Sequence, residues 1–229
     1  HYLILLQMYN QRALFWGGCF CIVVRLLYHV VHAFLSALSP KYSNMAVHRQ
    51  MYVQKNIVKS VVLALMLPPA LVFIAYPIWQ HGVWHTMHIH YFAVLYGAND
   101  FVGLVCVDKL PKTTRVHHIV CTFLVLTSLA LDFNVSPVAQ SMLVYTFFAA
   151  SSYIVNFHLA IRWLFPRGEL QRLRLIAAVV YAVCCVVSWC WQVWWVWHTP
   201  LEWYHCLYIG LMFWIVRDDI ILMQWLVSI

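Results

Sequence analysis

The chain has 229 residues, 64% of them hydrophobic and only 9% charged, against about 25% charged in ordinary soluble domains. That composition excludes a soluble globular protein, and at about 20 residues per crossing the length holds roughly seven membrane helices and no separate soluble domain. The formal charge of +7 sits in short loops between apolar runs, where it sets orientation and meets anionic lipid headgroups, so no nucleic-acid partner is implied. One all-α, polytopic transmembrane domain over residues 1–229 is expected. Residue 1 is His rather than Met, which implies a natural start that lies upstream or was removed. The eight cysteines fall in or beside apolar runs without repeated C-x-x-C spacing. They read as small buried hydrophobes rather than disulfides or metal thiolates.

The first apolar run, about Ala13 to Leu38, follows an interfacial lead-in and stops before Ser39-Pro40, since proline ends helices. Gly18, Cys21, Arg25, His29, His32 and Ser36 recur every three or four residues and share a face that should look into protein or water. The next stretch carries Lys41, Arg49, Lys55 and Lys59 among aromatic and Met residues and reads as an interfacial helix. It leads to a second span, about Ile57 to Trp79, in which Pro68-Pro69 predicts a kink. A histidine-rich loop follows. The third span, about Ile89 to Val107, holds Asn99 and Asp100 within its apolar run.

After the loop DKLPKTTR comes a fourth span, about Val116 to Val135, with His117, Cys121, Ser128 and Asp132 on one face. The short link Ser136-Pro137 predicts that spans four and five are antiparallel neighbours. Span five, about Val138 to Phe165, places Tyr145, Ser152 and Asn156 on one stripe. Span six, about Leu173 to Trp197, ends in a tryptophan cluster that reads as an aromatic interface belt. Span seven runs from about Cys206 to the last residue and carries Arg217, Asp218 and Asp219 at mid-depth.

Lysine and arginine fall in alternate connections: Lys41, Arg49, Lys55 and Lys59, then Lys109, Lys112 and Arg115, then Arg162, Arg167, Arg172 and Arg174. The positive-inside rule therefore expects these connections to face the cytoplasm, or the matrix or stroma of an organelle. An endoplasmic reticulum membrane and an organellar inner membrane fit equally.

Several residue clusters carry potential chemistry. His81, His85, His88 and His90 have the spacing of histidine boxes, but the alternation puts them a hydrocarbon thickness from His117 and His118, which defeats a shared di-iron cluster. They read as interfacial hydrogen-bonded histidines, with a small metal site in that loop, or haem ligation by His29, His32, His117, His118 and His158, as alternatives. No metal and no cofactor is expected. The buried charges need counter-ions, and Arg217 with Asp218, Asp219 or Asp100, or Arg25 with any of these, forms a plausible set. Arg25, His29, His32, Tyr145, Ser152, Asn156, Arg217 and Asp218 are the candidates for lining a lipid cavity. Adjacent histidines point about 100° apart. One of His117 and His118 can act as a base toward an amine or hydroxyl, with Asp100 as its partner.

The window from Tyr91 to Arg162 resembles the TLC-domain family, which includes ceramide synthases, translocation-associated membrane proteins and smaller lipid-related proteins. The resemblance rests on YFAVLYGAND, a basic loop, HHIVCTFLVLTSLALDFN and SSYIVNFHLAIRW, with KNIVKSVVLALM and ILMQWLVSI as weaker matches. It implies a bundle of about six helices around a lipid-accessible cavity, spanning residues 41–229 and preceded by one extra span. It also implies that His117 and His118 correspond to the histidines of acyl transfer from acyl-CoA to a sphingoid amine. The sequence departs from the synthases in having no carboxylate between Thr146 and Ser152. Ala149 stands where the smaller members carry an acid, and Leu63 where the family has a histidine. The expectation is a membrane protein that binds or modifies lipid, with acyl-CoA as substrate if it is active. The alternative is a non-enzymatic accessory subunit that uses its cavity for structural lipid within a larger membrane complex.

Overall fold

A computed structural model describes residues 2–200 and 202–228, with side chains from residue 10 onward except that of Arg167. The basic side chain of Arg167 and the two ends of the chain, assigned above to a loop, a lead-in and the close of span seven, lie outside this set. The described residues are helical throughout, without strands. The helices are α1 (Tyr2–Leu38), α2 (Pro40–Ser43), α3 (Val47–Ala70), α4 (Tyr76–His81), α5 (Thr86–Cys106), α6 (Lys112–Ser128), α7 (Pro137–Ala150), α8 (Tyr153–Ile161), α9 (Gln171–His198) and α10 (Trp203–Val227). Four segments are long and apolar enough to cross a membrane: Asn10–Leu38, Val47–His81, Thr86–Cys106 and Gly168–His198. The pair α7 and α8, bent by 41°, makes a fifth if it is one span.

Local sequence explains most boundaries. Ser39 and Ser136 cap α2 and α7, each accepting a hydrogen bond from a backbone N–H of the first turn, and each is followed by proline, which suits a position whose N–H has no partner. Pro68 and Pro69 lie inside α3, and one π-helical turn, Leu71–Ala75, follows before α4, where Pro77 lacks the N–H that would bond the carbonyl four residues back within that turn. Such a turn is a known way to re-satisfy a helix interrupted by proline. Gly82 then closes α4 in the left-handed region, at φ 66°.

Three expectations need correction here. The interfacial helix and the second span are one continuous helix, so Lys55 and Lys59 sit within the bundle and not in a loop: both are buried. The fourth span stops at Ser128, and Asp132 lies in the following turns, where it accepts from Thr86 Oγ1 at 2.8 Å and from the Asn134 N–H at 3.0 Å. The helix has already tightened by then, Ala130 N–H bonding the Thr127 carbonyl and Leu131 N–H that of Ser128, and the aspartate side chain fixes the turn that follows. The fifth span is broken at Ser151-Ser152. Below the break, Asn156 Nδ2 donates back to the Ser152 carbonyl at 3.0 Å, and Ser60 Oγ donates to the Tyr153 carbonyl at 2.8 Å, clasping α3 to α8.

The helices α3, α5, α6, α7, α8, α9 and α10 pack around a common interior. Helix α6 lies mainly against α5 and α10, and α7 against α9, so the expected pairing of spans four and five is a minor contact. Helix α1 packs outside, on α5 and α3, with 11% of its most apolar window buried. Its inner face consists of Ala13, Val24, Tyr28 and Leu35. The tryptophan cluster is only partly a surface belt: Trp197 is exposed, whereas Trp195 is buried against His205 and Tyr208. Of the cysteines, Cys121 and Cys185 are buried and Cys190 and Cys206 are exposed.

Without water to expel, helices in a bilayer associate through close packing, which small residues permit. Gly97 is such a point: a Cβ there would lie 3.0 and 3.1 Å from the Val125 methyls and 3.2 Å from its Cβ. Val125 is stiff at χ1 and its Cβ moves only with the backbone. Gly97→Ala is therefore expected to lower stability by about 1–3 kcal/mol, read as a fall in the unfolding midpoint in detergent. Adding Val125→Ala, which removes the two tightest contacts, should recover part of it.

Candidate functional site

The interior holds a cavity of about 300 Å³. Helix α3 contributes a stripe to it, Tyr52, Lys55, Asn56 and Lys59, spaced three and four residues apart and so aligned on one face. Helix α6 contributes Thr113, Thr114, His117 and His118, α7 and the break after it Tyr145 and Ser152, and α8 Asn156. Arg162 follows from the end of α8, and α9 and α10 add Tyr181, Asp218 and Asp219. Pro111 is exposed and lines the cavity as well, so the mouth lies beside the 107–111 loop.

The charges are arranged in pairs. Lys59 donates from its ammonium to Asp100 Oδ1, with side-chain exposures of 7% and 0%, and its ammonium also lies 5.5 Å from the centre of the Tyr96 ring. His118, almost completely buried, has Nδ1 2.9 Å from the Asp100 carbonyl oxygen and 3.3 Å from its Oδ1. Both neighbours of that nitrogen accept only, so Nδ1 carries the proton and donates. His118 is thereby a tie between α6 and α5. His117 differs: its side chain retains 12% exposure, and its Nδ1 lies 3.3 Å from Asp218 Oδ2, an ion-pair contact off the alignment of a full hydrogen bond. Tyr181 donates to Asp219 Oδ1 at 2.7 Å.

The candidates from the sequence fall into three groups. His117, His118, Tyr145, Ser152, Asn156 and Asp218 share the cavity wall, and Asp100 lies behind it, bound to two wall residues. Arg217 does not join them. It is exposed, its guanidinium lies 5.5 Å from the Trp214 ring, and it forms no ion pair among the described residues. Successive helical residues diverge by about 100°, so when Asp219 points inward Arg217 must point away. Arg25, His29 and His32 lie on α1 away from this cavity. Arg25 is half-buried and His29 exposed, while His32 Nδ1 is 3.0 Å from the Tyr42 hydroxyl. The counter-ion of Asp100 is thus a lysine that sequence reasoning assigned to a loop. The signal was present: a polar stripe at helical spacing running into an apolar segment marks a face turned toward protein.

Two further points alter what the site can do. No carboxylate lies between Thr146 and Ser152, but α10 brings two, Asp218 and Asp219, to the cavity. Asp100, His117 and Cys121 also bring ligand-type atoms within 4.8 Å of one another, a set the sequence had not joined. There, however, the Lys59 ammonium holds Asp100 Oδ1 and its charge disfavours a cation beside it, while Oδ2 has no hydrogen-bond partner among the described residues. Among the histidine-rich segment, His90 is buried beside the Leu131 carbonyl at 3.3 Å, and His85 and His88 meet edge to face.

The fold and the cavity define an all-helical protein with several membrane-compatible helices and a polar interior. Compared with known proteins, the chain matches no family model, no curated protein and no solved structure.

Removing one partner of a buried ion pair leaves the other uncompensated, at a cost of about 3–5 kcal/mol. Lys59→Met is accordingly expected to lower the unfolding midpoint in detergent sharply. Lys59→Met with Asp100→Leu, which removes both charges, should restore most of the loss. An equal midpoint for the single and double variants would show that the pair does not organise the bundle.

Proposed function

We propose that this chain is a membrane-embedded lipid-binding protein whose cavity receives the polar end of a lipid, and that His117 acts there as a general base with Asp218 as its orienting partner. The observation that carries this reading is the His117–Asp218 contact on the wall of an intramembrane cavity. A carboxylate at Nδ1 keeps the proton on that nitrogen and leaves Nε2 basic, and stabilises the imidazolium that forms when Nε2 takes a proton from a hydroxyl or amine. His118 has a similar Nδ1 partner in Asp100 and also lines the cavity, but it is 1% exposed and so offers a substrate less access. Seven crossings complete the architecture: α6 is 17 residues, about 25 Å at 1.5 Å per residue, and α10 is 25 residues with its acids turned inward. The basic connections lie on the cytoplasmic or matrix side. The resemblance to TLC-domain proteins supports the same reading and suggests acyl transfer from acyl-CoA to a lipid amine.

The test is direct. Purified protein should retain lipid by native mass spectrometry, and with acyl-CoA and a sphingoid base it should form the acylated amide. His117→Ala should lower the rate by about 10²–10⁴-fold, and Asp218→Asn by less. Product formed equally by His117→Ala sinks the base assignment. A wild-type protein that retains lipid yet forms no product sinks the enzyme and leaves a lipid holder.

One observation favours the second reading, an accessory subunit of a membrane complex. The outer face of α1 carries Gly18, His29, His32 and Ser36 exposed and Arg25 half-buried, with no carboxylate paired to Arg25 among the described residues. Charge facing lipid costs a few kcal/mol or more, which a partner helix would remove.

A further inference from the structure

Three cations, Lys55, Lys59 and Arg162, stand against three carboxylates, Asp100, Asp218 and Asp219, but two of the cations form no ion pair with any of them among the described residues. Lys59 is matched by Asp100, Asp218 lies against His117, and Asp219 accepts from Tyr181. Lys55 has no such match. Its side chain is 4% exposed, lines the cavity and forms no ion pair among the described residues. Its ammonium lies 5.8 Å from the centre of the Tyr52 ring, a contact too weak to replace the hydration lost on burial. Arg162, half-buried on the same wall, likewise forms no ion pair with a carboxylate among the described residues. Its guanidinium is framed by Trp225 at 4.4 Å, Trp163 at 5.1 Å and Tyr52 at 5.9 Å.

The third contributor is the start of α6. Pro111 precedes it without a side-chain cap and no acidic residue lies in its first turn, so the first N–H groups and the positive end of the helix dipole lack a partner. Thr113 and Thr114, in that turn, line the cavity together with Lys55 and Arg162. A buried ammonium, a planar guanidinium and a helix N-terminus converging on one space make a seat for a multivalent oxyanion, with more oxygens than a carboxylate supplies.

We propose that Lys55, Arg162 and the N-terminal turn of α6 bind the phosphate group of an amphiphile, an anionic phospholipid headgroup, at the mouth of the cavity. This rests on the lipid-binding reading above and names the class of lipid. The surroundings favour an amphiphile over free phosphate. The same wall includes Leu222, Ile221 and Trp225, of which Ile221 is exposed on the outside of the bundle. Arg162 and Trp225 also border a second groove of about 740 Å³, lined by Trp163, Phe165 and Leu170 together with Lys41, His158, Gln171 and Arg174. A headgroup seated at Arg162 therefore has apolar surface beside it at Ile221, Leu222 and Trp225, along which acyl chains can lie. Asp218 and Asp219 engage other partners and form no ion pair with Lys55 or Arg162 among the described residues.

The experiment uses the full chain in phosphatidylcholine nanodiscs, alone, with phosphatidic acid, with diacylglycerol at the same fraction, or with inorganic phosphate in the buffer. The readouts are thermal unfolding by tryptophan fluorescence, to which Trp189 and Trp225 of the wall contribute, and retained lipid by native mass spectrometry. Phosphatidic acid is expected to raise the unfolding midpoint by several degrees through binding to the folded state, with diacylglycerol and phosphate giving little. Lys55→Gln and Arg162→Gln should each weaken the response to phosphatidic acid by about tenfold, one lost charge-assisted contact, whereas Lys55→Arg should keep it. A response that persists in a Lys55→Gln, Arg162→Gln double variant overturns the seat. Equal responses to phosphatidic acid and diacylglycerol overturn it too but leave lipid binding standing. An equal response to inorganic phosphate supports the seat and overturns the amphiphile. No response to any lipid overturns both the seat and the reading beneath it.

Discussion

A charge buried between helices needs a counter-ion at hand, because neither bulk water nor an apolar chain can supply one there. The Lys59–Asp100 pair meets that requirement and in doing so fixes α3 against α5. His118 extends it to α6 through the Asp100 carbonyl. These three helices form the back wall of the cavity, and the positions of Lys55, His117 and Gly103 follow from it. A Cβ on Gly103 would lie 3.3 Å from Lys55 Cε and 3.4 Å from His118 Cε1, so the close approach of α5 is part of the same arrangement.

The two adjacent histidines divide their work by the direction in which the helix turns. His118 points into the α5–α6 contact and is spent on structure; His117 points toward α10 and keeps some access to the cavity. The carboxylate beside His117 is thus supplied from far along the chain. Polar side chains in such a bundle meet when they lie on facing helices, however far apart they are in sequence.

Much of the fold was legible. Long apolar runs separated by prolines and short basic loops identified the helical membrane-compatible class; Tyr145, Ser152 and Asn156, expected on one stripe of a continuous span, line the cavity from two helices and the break between them. The failures have physical causes. Lys55 and Lys59 read as a basic interface because lysine normally marks one, and only the long-range partner Asp100 shows that Lys59 is inside. Arg217 was grouped with its neighbouring acids by proximity in sequence, although successive helical residues face different ways. The polar face of α1 was taken as inward, but Ala13, Val24, Tyr28 and Leu35 offer the closer fit to α5 and α3 and turn that face out. The break at Ser151-Ser152 left no Gly or Pro to announce it.

That break has a bearing on the register of everything beyond it. Because each residue advances a helix by about 100°, the two-residue interruption sets the angular phase of α8 independently of α7. The Ser60–Tyr153 clasp locks that phase to α3. Asn156 and Arg162 meet the cavity only in this setting. One residue more or fewer at the bend would leave both helices intact and apolar, yet rotate the polar edge of α8 into the lipid. The chain spends its regularity at this point to decide which side of a helix is chemistry and which is membrane.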